Sequence, residues 1–558
     1  MNKKIKIWTL IAAVSVASFS SLAFVESYFE ISKNLDIFAT VYREINVNYV
    51  EETNPGKLVK TGIDAMLGSL DPYTNYIPES DIEDYKFMTT HEYGGVGALI
   101  GTRNGNIIIS EPYEGFPADK AGLKAGDIIL EVDGESAAGK NSTQLSDMLR
   151  GQSGTSISVK VKRTATNEEI EATLTREKIK IDDVPYYGML DQGVGYISLN
   201  GFTETASRDV KDAFTKLKEQ GMQELILDLR GNGGGLLRES VNIVNFFCEK
   251  GEPVVEVKGK VKEHYRMNIA LNTPLDTKIP LVVLIDEGSA SASEIVSGSL
   301  QDLDRAVIIG HNSFGKGLVQ TTHDLSYNSM LKMTIAKYYT PSGRCIQRID
   351  YGKRDDKGKA IEVPDSLVSE YFTQNKRVVK DGAGITPDIK VADKEYSDLL
   401  ATLMQENIVF DFATNYYFKH ESIASPEEFA LTEADYETFV AFALNHEFEY
   451  ETSSANMLKE LKSVVVEDEF WDEVEGEYAA LEAKLQRDKK GDMTKFKPEI
   501  KLMLENEIIG RYYYSKGRIR AYLPHDEEVL KAIEVLNNKT YYDSVLDGTC
   551  ADCLVKKG

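Results

Sequence analysis

The chain has 558 residues, 42% of them hydrophobic, so it is too long for one hydrophobic core and has the composition of a folded multidomain protein rather than a disordered one. A formal net charge of −25 without a long Lys/Arg stripe argues against nucleic acid as a partner, because binding to a phosphate backbone depends on clustered cations. Only four cysteines are present, which excludes a disulfide-rich scaffold and leaves no paired spacing for a zinc site, although Cys550 and Cys553 can oxidise to a disulfide.

The N-terminus has the layout of an export signal. Three lysines among the first six residues precede an uncharged apolar run from Ile7 to about Val25, which includes the small residues of Ser21-Leu22-Ala23. The run is also long enough to span a bilayer, so a cleaved signal peptide and an uncleaved inner-membrane anchor are equal alternatives for residues 1–25. Either alternative places the rest of the chain outside the cytoplasm, in the periplasm.

Residues 26–92 are expected to form a helical N-terminal region. The apolar residues Leu35, Phe38, Val41 and Ile45 recur at helical spacing. The segment Asp71-Pro72-Tyr73-Thr74-Asn75-Tyr76 ends this pattern, because proline and asparagine interrupt helices.

Short β-type runs with glycine turns follow in residues 93–178. The segment from Pro117 to Gly134 has the order helix, glycine turn, apolar strand and Asp-Gly turn, and it strongly resembles a PDZ domain. Upstream, the glycines of Gly94-Gly95-Val96-Gly97-Ala98 let successive backbone N–H groups converge on a peptide carboxylate, or form only a hairpin turn. Together with the downstream segment, Gly95, Val96, Gly97 and Ala98 are predicted to bind the C-terminus of a peptide.

Residues 179–393 alternate strands with helices, which predicts an α/β unit whose helices cover a mostly parallel sheet and whose ligand site lies at the strand ends. The predicted strands are 194–199, 224–229, 281–285 and 306–309, and the predicted helices are 206–220, 236–247 and 292–301. Residues 394–558 are helical and acidic in pattern and contain no motif that indicates chemistry, so an accessory helical domain is expected there.

Three loops of the α/β unit carry candidate catalytic groups. The strand before Arg230 leads into Gly231-Asn232-Gly233-Gly234-Gly235, whose free N–H groups suit an oxyanion hole and which lacks the Gly-Lys-Ser/Thr ending of a P-loop. The strand ending at Ile285 leads into a helix through four candidate serines, which the residue pattern alone does not distinguish from helix caps: Ser289, Ser291, Ser293 and Ser297.

The third loop contains Lys316 between two glycines. A lysine that is partly desolvated after an apolar strand can lose its proton and act as a base, although a solvated surface lysine is the common alternative. His311 lies in the same loop without an evident orienting acid, so we interpret it as a structural or rim residue. No serine lies in a Gly-x-Ser-x-Gly elbow, which disfavours a Ser-His-Asp triad.

Taken together, residues 46–391 closely resemble the C-terminal processing peptidases, also called tail-specific proteases. This resemblance implies a multidomain α/β fold with a PDZ domain before a crotonase/ClpP-like peptidase core. The motifs that carry it, besides the PDZ segment, are Asp71-Pro72-Tyr73-Thr74-Asn75-Tyr76, Asp228-Leu229-Arg230-Gly231-Asn232, Ser289-Ala290-Ser291-Ala292-Ser293-Glu294, Phe314-Gly315-Lys316-Gly317, Tyr339-Thr340-Pro341-Ser342-Gly343-Arg344 and Gly384-Ile385-Thr386-Pro387-Asp388.

The same resemblance implies the roles of individual residues. Ser291 is expected to be the nucleophile, Lys316 the general base and Gln320 the residue that orients the lysine. The backbone N–H of Ala292 and that of Gly234 or Gly235 are expected to form the oxyanion hole. Gly233 departs from relatives, which often have proline or serine at this position, so the choice between the two following glycines stays open.

The function expected from these observations is that of an exported serine endopeptidase, which cleaves proteins or peptides with accessible C-termini near or from those C-termini, without a metal or organic cofactor. Two alternatives are an inactive α/β scaffold that retains only the PDZ groove, and a crotonase-like enzyme acting on acyl thioesters. The first is disfavoured because both Ser291 and Lys316 are present, and the second explains neither the PDZ segment nor the export signal. Assembly into a homo-oligomer through the helical ends is left open.

Overall fold

The computed structural model describes residues 29–392, 394–485 and 488–558, so the predicted export segment lies outside the described residues. None of the helices within these ranges is long and apolar enough to cross a membrane. The helices in chain order are α1 (29–48), α2 (Pro55–Gly68), α3 (Ile82–Thr90), α4 (Pro117–Lys120), α5 (Ser142–Leu149), α6 (Ala206–Glu219), α7 (Leu237–Asn245), α8 (Ala292–Asp302), α9 (Asp398–Gln405), α10 (Ile408–Lys419), α11 (Glu433–Leu444), α12 (Ser453–Glu467), α13 (Trp471–Leu485), α14 (Lys489–Lys495), α15 (Lys497–Tyr522), α16 (Glu527–Asn537) and α17 (Lys539–Leu546).

The strands are mostly short. In chain order they are β1 (Asn75–Ile77), β2 (Glu92–Gly95), β3 (Ala98–Arg103), β4 (Asn106–Pro112), β5 (Asp127–Val132), β6 (Glu135–Ser136), β7 (Ser156–Arg163), β8 (Glu169–Thr175), β9 (Glu177–Lys180), β10 (Tyr186–Met189), β11 (Val194–Ser198), β12 (Glu224–Asp228), β13 (Pro253–Gly259), β14 (Arg266–Ile269), β15 (Leu281–Ile285), β16 (Val307–Gly310), β17 (Leu318–Asp324), β18 (Met330–Tyr339), β19 (Ile349–Arg354), β20 (Ala360–Glu362), β21 (Glu370–Phe372), β22 (Val378–Lys380) and β23 (Ile389–Lys390).

The chain divides into two compact units. The first comprises the chain up to Ile82 together with Gln320–Ile335, and the second comprises Glu83–Val319 together with Ala336–Gly558. In the first unit, β1 pairs antiparallel with the start of β18, and Asp71 closes the preceding turn by accepting hydrogen bonds from the N–H groups of Tyr73 and Thr74. The helical prediction for α1 is confirmed, but its Leu35, Phe38, Val41 and Ile45 are 38–64% exposed. Their spacing therefore marks an exposed apolar stripe and not a buried one.

In the second unit, residues 98–175 form an antiparallel sheet within the predicted PDZ segment, residues 93–178. The strand order is β3-β4-β5-β7-β8, with β6 beside β5. The strands enclose an apolar core with α4 and α5, which includes Leu123, Leu145 and Val159. A reciprocal cap between Asn141 and Gln144 begins α5. The chain enters and leaves this sheet through an antiparallel pair, β2 with β9.

The α/β unit is built on a six-stranded sheet of order β10-β11-β12-β15-β16-β23, in which only the edge strand β10 is antiparallel. On one side α6 contacts β11 and α8 contacts β16. The parallel strands are buried on both faces, which explains why their sequences are continuous apolar runs rather than alternating ones. The predicted alternation of strands and helices is confirmed, and the observed element bounds differ from the predicted ones by at most two residues.

The C-terminal helices contribute to two separate cores. Helices α9 to α11, α14 and α15 surround a core of their own, which includes Phe412, Phe439 and Leu504. Helices α16 and α17 instead pack on the large sheet, where Val535 and Leu536 join its buried side chains. Cys550 and Cys553 form a disulfide within that same core. The sequence predicts a helical region here, but not that its last two helices complete the core of the α/β sheet.

Candidate active site

The first active-site element is the turn between β15 and α8. The carboxylate of Asp286 shapes this turn by accepting hydrogen bonds from the N–H groups of Gly231, Gly288 and Ser289. Ser291 is the last residue before α8 and has a φ of 56°, in a region that residues other than glycine rarely adopt. Such strain is found at turns that present a catalytic side chain.

The four candidate serines differ in environment. Ser289, Ser293 and Ser297 are fully buried, and their hydroxyls donate to backbone carbonyl oxygens at 2.8, 2.8 and 2.9 Å. Ser291 is only half-buried. Because a buried hydroxyl that is satisfied within the protein does not reach a substrate, Ser291 is the accessible serine among the four.

The glycine loop after β12 lies directly against the Ser291 turn. A Cβ atom on Gly234 would lie 2.8 Å from the Ser291 Cβ and 2.9 Å from the backbone nitrogen of Ala292, so only glycine fits here. The Gly234 N–H donates to the side chain of Asn232, and Gly235 is bridged to the backbone of Phe202. Thus Gly234 and Ala292, both predicted from the sequence, lie together beside Ser291, whereas Gly235 is held against Phe202.

The lysine loop follows β16 and is joined to the serine turn by backbone and side-chain hydrogen bonds. The N–H of Phe314 donates to the carbonyl of Ser289 at 3.0 Å. Lys316 stands between Gly315 and Gly317, two residues before β17 begins at Leu318. Its loop therefore shares contacts with the serine turn although the two are separate in sequence.

The strongest connection between these loops is the carboxylate of Glu294, on the first turn of α8. One of its oxygens accepts hydrogen bonds from the backbone N–H groups of both Ser291, at 2.8 Å, and Lys316, at 2.9 Å. Its other oxygen accepts from the Ser313 hydroxyl at 2.5 Å and from the Gly315 N–H at 2.7 Å. Complete burial raises the pKa of the Glu294 carboxyl, and these hydrogen bonds oppose the rise.

Glu294 is the last residue of the motif that begins at Ser289, but no role is predicted for it from the sequence. A glutamate three residues after a helix-capping serine is a familiar N-terminal helix signal, which could have drawn attention to it. The local sequence does not indicate that Glu294 also binds the lysine loop, because Lys316 lies 22 residues further along the chain.

A second cluster surrounds Arg230, which precedes the glycine loop. Its guanidinium pairs with Asp228, with both oxygens of Asp526 and with Glu528. The Nε2 of His311 lies 3.4 Å from Glu528, an acid that the sequence pattern does not indicate, and the structural or rim role of this histidine stays a prediction. Asp526 and Glu528 belong to the start of α16, some 300 residues from Arg230, and no local sequence signal indicates this contact.

The remaining predicted catalytic residue, Gln320, lies in the other compact unit. It is on β17, and its side-chain Nε2 donates to the Thr334 hydroxyl at 3.2 Å. Its predicted action on the lysine stays a prediction.

A cavity of about 540 Å³ lies between β3 and α5, beside the loop predicted to bind a peptide C-terminus, and Val96, Ala98 and Ile100 are part of its lining. Of the predicted loop residues, Val96 and Ala98 therefore line the cavity. Gly97 has a φ of 72° and a Cβ there would meet Phe116 at 2.4 Å, so this glycine is required by the turn itself. Arg150 also lines the cavity, and its guanidinium lies over the ring of Tyr93.

We predict that Gly234→Ala destabilises the protein by about 1–3 kcal/mol, because the new Cβ collides with backbone and the φ of 99° is unfavourable for alanine. Gly233→Ala is the matched control, since a Cβ on Gly233 has no atom within 4 Å. Thermal unfolding of the two variants measures the difference. Equal midpoints for Gly234→Ala and Gly233→Ala would contradict the close contact with the serine turn.

Comparison with known proteins assigns the chain to a family. Residues 193–357 match Peptidase family S41, residues 108–163 match the PDZ domain, and residues 399–536 match a family described as "Probable PDZ-protease, C-terminal helical domain". The chain is 38% identical to a carboxy-terminal-processing protease of Bartonella bacilliformis over 322 residues, which cover 57% of this chain and 73% of that protein.

Two further similarities extend over more of the chain. A probable CtpA-like serine protease of Staphylococcus epidermidis is 32% identical over 452 residues, covering 75% of this chain and 91% of the relative. The solved photosystem II D1 C-terminal processing protease is 28% identical and covers 63% of this chain and 92% of its own, with a TM-score of 0.34. The chain therefore belongs to Peptidase family S41 and is a PDZ-containing serine peptidase of the C-terminal processing type.

Proposed function

We propose that this peptidase hydrolyses peptide bonds with Ser291 as nucleophile and Lys316 as general base. The observation that carries the proposal is the pair of hydrogen bonds by which one oxygen of Glu294 holds the backbone of both residues. The accessibility of Ser291 among four neighbouring serines supports the same assignment. A buried carboxylate that joins two loops in this way is suited to hold a nucleophile and a base at constant separation.

The proposed reaction proceeds through an acyl-enzyme. The neutral amine of Lys316 accepts the Ser291 hydroxyl proton while the oxygen attacks the carbonyl carbon of the scissile bond. The N–H of Ala292, at the start of α8, and a glycine of the 233–235 loop stabilise the resulting oxyanion. The protonated lysine then gives its proton to the leaving amine, and Lys316 activates a water molecule that releases the acyl group from Ser291.

The PDZ cavity supplies the proposed substrate preference. Its lining by Val96, Ala98 and Ile100 suits an extended peptide that adds alongside β3, with an apolar terminal side chain in the cavity. We infer that it recruits proteins with accessible C-termini, so that cleavage follows the binding of a tail.

We further propose that the enzyme acts outside the cytoplasm, in the periplasm. The support is the lysine-rich start of the sequence and the apolar run that follows it, which are typical of an export signal or an anchor. Under this proposal the substrates are exported proteins.

Replacing the proposed nucleophile is the direct test. Ser291→Ala and Lys316→Ala are each expected to lower kcat at least about 10⁴-fold, because neither group can be replaced by its neighbours. Turnover of a peptide with a free C-terminus and labelling by a fluorophosphonate, which reacts with activated serines, provide the measurements.

The control is Ser297→Ala, which removes a buried hydroxyl from the same helix and should keep both turnover and labelling. Full turnover in Ser291→Ala would rule out its role as nucleophile. Labelling of wild type at another serine would rule it out as well.

Glu294→Gln should lower kcat by about 10- to 100-fold, because the amide NH₂ of glutamine cannot accept the hydrogen bonds that join the two loops, and small displacements of catalytic groups have effects of this size. Glu287→Gln is the matched control, since Glu287 is an exposed residue of the same turn. Steady-state kinetics measure kcat for both variants. A kcat of Glu294→Gln equal to that of the control would contradict the joining role.

Amidation of the substrate C-terminus tests the PDZ proposal. Loss of the terminal charge is expected to raise KM by about 10-fold or more, because a hydrogen bond to a charged group contributes about 1.5–3 kcal/mol. Acetylation of the N-terminus of the same peptide is the control and should leave KM unchanged. Equal KM values for the acid and the amide would exclude recognition of the terminal carboxylate.

A further inference from the structure

We propose that Asp526 and Glu528, at the start of α16, are positioning residues for the active site, acting through Arg230 and His311. The inference rests on the proposed function of Ser291 and Lys316. It assigns to the C-terminal helical region a part in catalysis that its sequence does not indicate.

The guanidinium of Arg230 is surrounded by three carboxylates. Its side chain is 18% exposed, and Asp526 binds it in a two-point contact, with distances of 3.1 Å to Nη1 and 2.9 Å to Nη2. Asp228, at the end of β12, binds the same guanidinium at 2.6 Å. Burial alone would lower the pKa of Arg230, but the carboxylates of Asp228 and Asp526 outweigh it, so the guanidinium stays charged.

Glu528 contacts residues at the start of both the glycine loop and the lysine loop. One of its carboxylate oxygens pairs with Arg230, and the other lies 3.4 Å from Nε2 of His311. Arg230 is followed directly by Gly231, whose loop reaches Gly234 at the Ser291 turn. His311 follows β16 and begins the loop that contains Lys316. The Glu528 side chain therefore connects the residue that precedes the glycine loop with the residue that begins the lysine loop.

The role proposed for these carboxylates in positioning Arg230 is distinct from the docking of α16 on the sheet. The helix is held on the sheet by buried apolar side chains, among them Val529, Val535 and Leu536, which do not depend on the charges. Replacing one of the three carboxylates still leaves Arg230 paired with the other two, so no buried charge loses all its partners. Loss of one charge is therefore not expected to release the helix, and the bidentate geometry instead restricts where Arg230 and its loop can lie.

Asp526 has a second role as the cap of α16, and a test substitution has to retain that cap. Its carboxylate also caps α16 by accepting from the N–H groups of Glu528 and Val529. Asparagine caps helices as well as aspartate does, so Asp526→Asn retains the cap while it removes the charge and one of the two oxygens that accept from Arg230. Glu528→Gln likewise keeps the size of the side chain.

The experiment compares Asp526→Asn and Glu528→Gln with Glu527→Gln in the full-length protein. Glu527 is exposed and lies between the two, so its replacement makes the same change of charge at the same helix start. For each variant we would measure kcat and KM for a peptide with a free C-terminus, the rate of Ser291 labelling by a fluorophosphonate, and the thermal unfolding midpoint.

We expect kcat and the labelling rate to fall about 10- to 100-fold in both test variants, with KM and the unfolding midpoint close to those of Glu527→Gln. A kcat equal to that of the control overturns the inference. A loss of kcat that only parallels a lower unfolding midpoint overturns it too, because that result indicates a purely structural role.

Measuring Ser291→Ala in the same experiment distinguishes a failure of the inference from a failure of the proposed function. If Ser291→Ala is inactive while both test variants keep full kcat, the inference fails and the proposed nucleophile stands. If Ser291→Ala is active, the proposed function itself fails. Should the test variants not fold, Asp526→Glu and Glu528→Asp retain the charges and shift each carboxylate by one methylene, and unchanged kcat in both would overturn the inference equally.

Discussion

The buried carboxylate of Glu294 is the interaction on which the candidate active site depends. Placing a carboxylate entirely out of water is costly unless its oxygens are hydrogen-bonded, and here four donors from two loops supply those bonds. The cost of burial is thus offset only when the serine turn and the lysine loop are both in place. A charge that is satisfied by two separate loops makes the position of each depend on the other.

The parallel sheet explains why these loops can meet. Strands β12, β15 and β16 are neighbours and run in the same direction, so their carboxyl ends, and the loops that follow them, lie at one edge of the sheet. The glycine loop, the serine turn and the lysine loop are the continuations of these three strands. The C-terminal helices then add a second set of carboxylates at the same loops, through Arg230 and His311.

Much of the fold was predictable because its signals are local. The apolar runs of the parallel strands, the amphipathic helices between them and the glycine turns of the PDZ segment are each read within about ten residues, and the structure has elements at those places. The exposed stripe of α1 shows the limit of such patterns, since spacing predicts a helix but not what its apolar side contacts. The packing of α16 and α17 on the large sheet was not predictable either, because it joins segments that are more than 100 residues apart in sequence.

For the active site, the sequence by itself determined which residue types follow each strand, and through its family motifs it singled out Ser291 and Lys316. It could not distinguish four serines by chemistry, because burial decides which hydroxyl is available, and burial is a property of the packed chain. Only the tertiary structure decided that Glu294 holds both loops and that Arg230 meets Asp526 and Glu528. The physical reason is that hydrogen bonds and ion pairs depend on distance in space, which local sequence patterns do not contain.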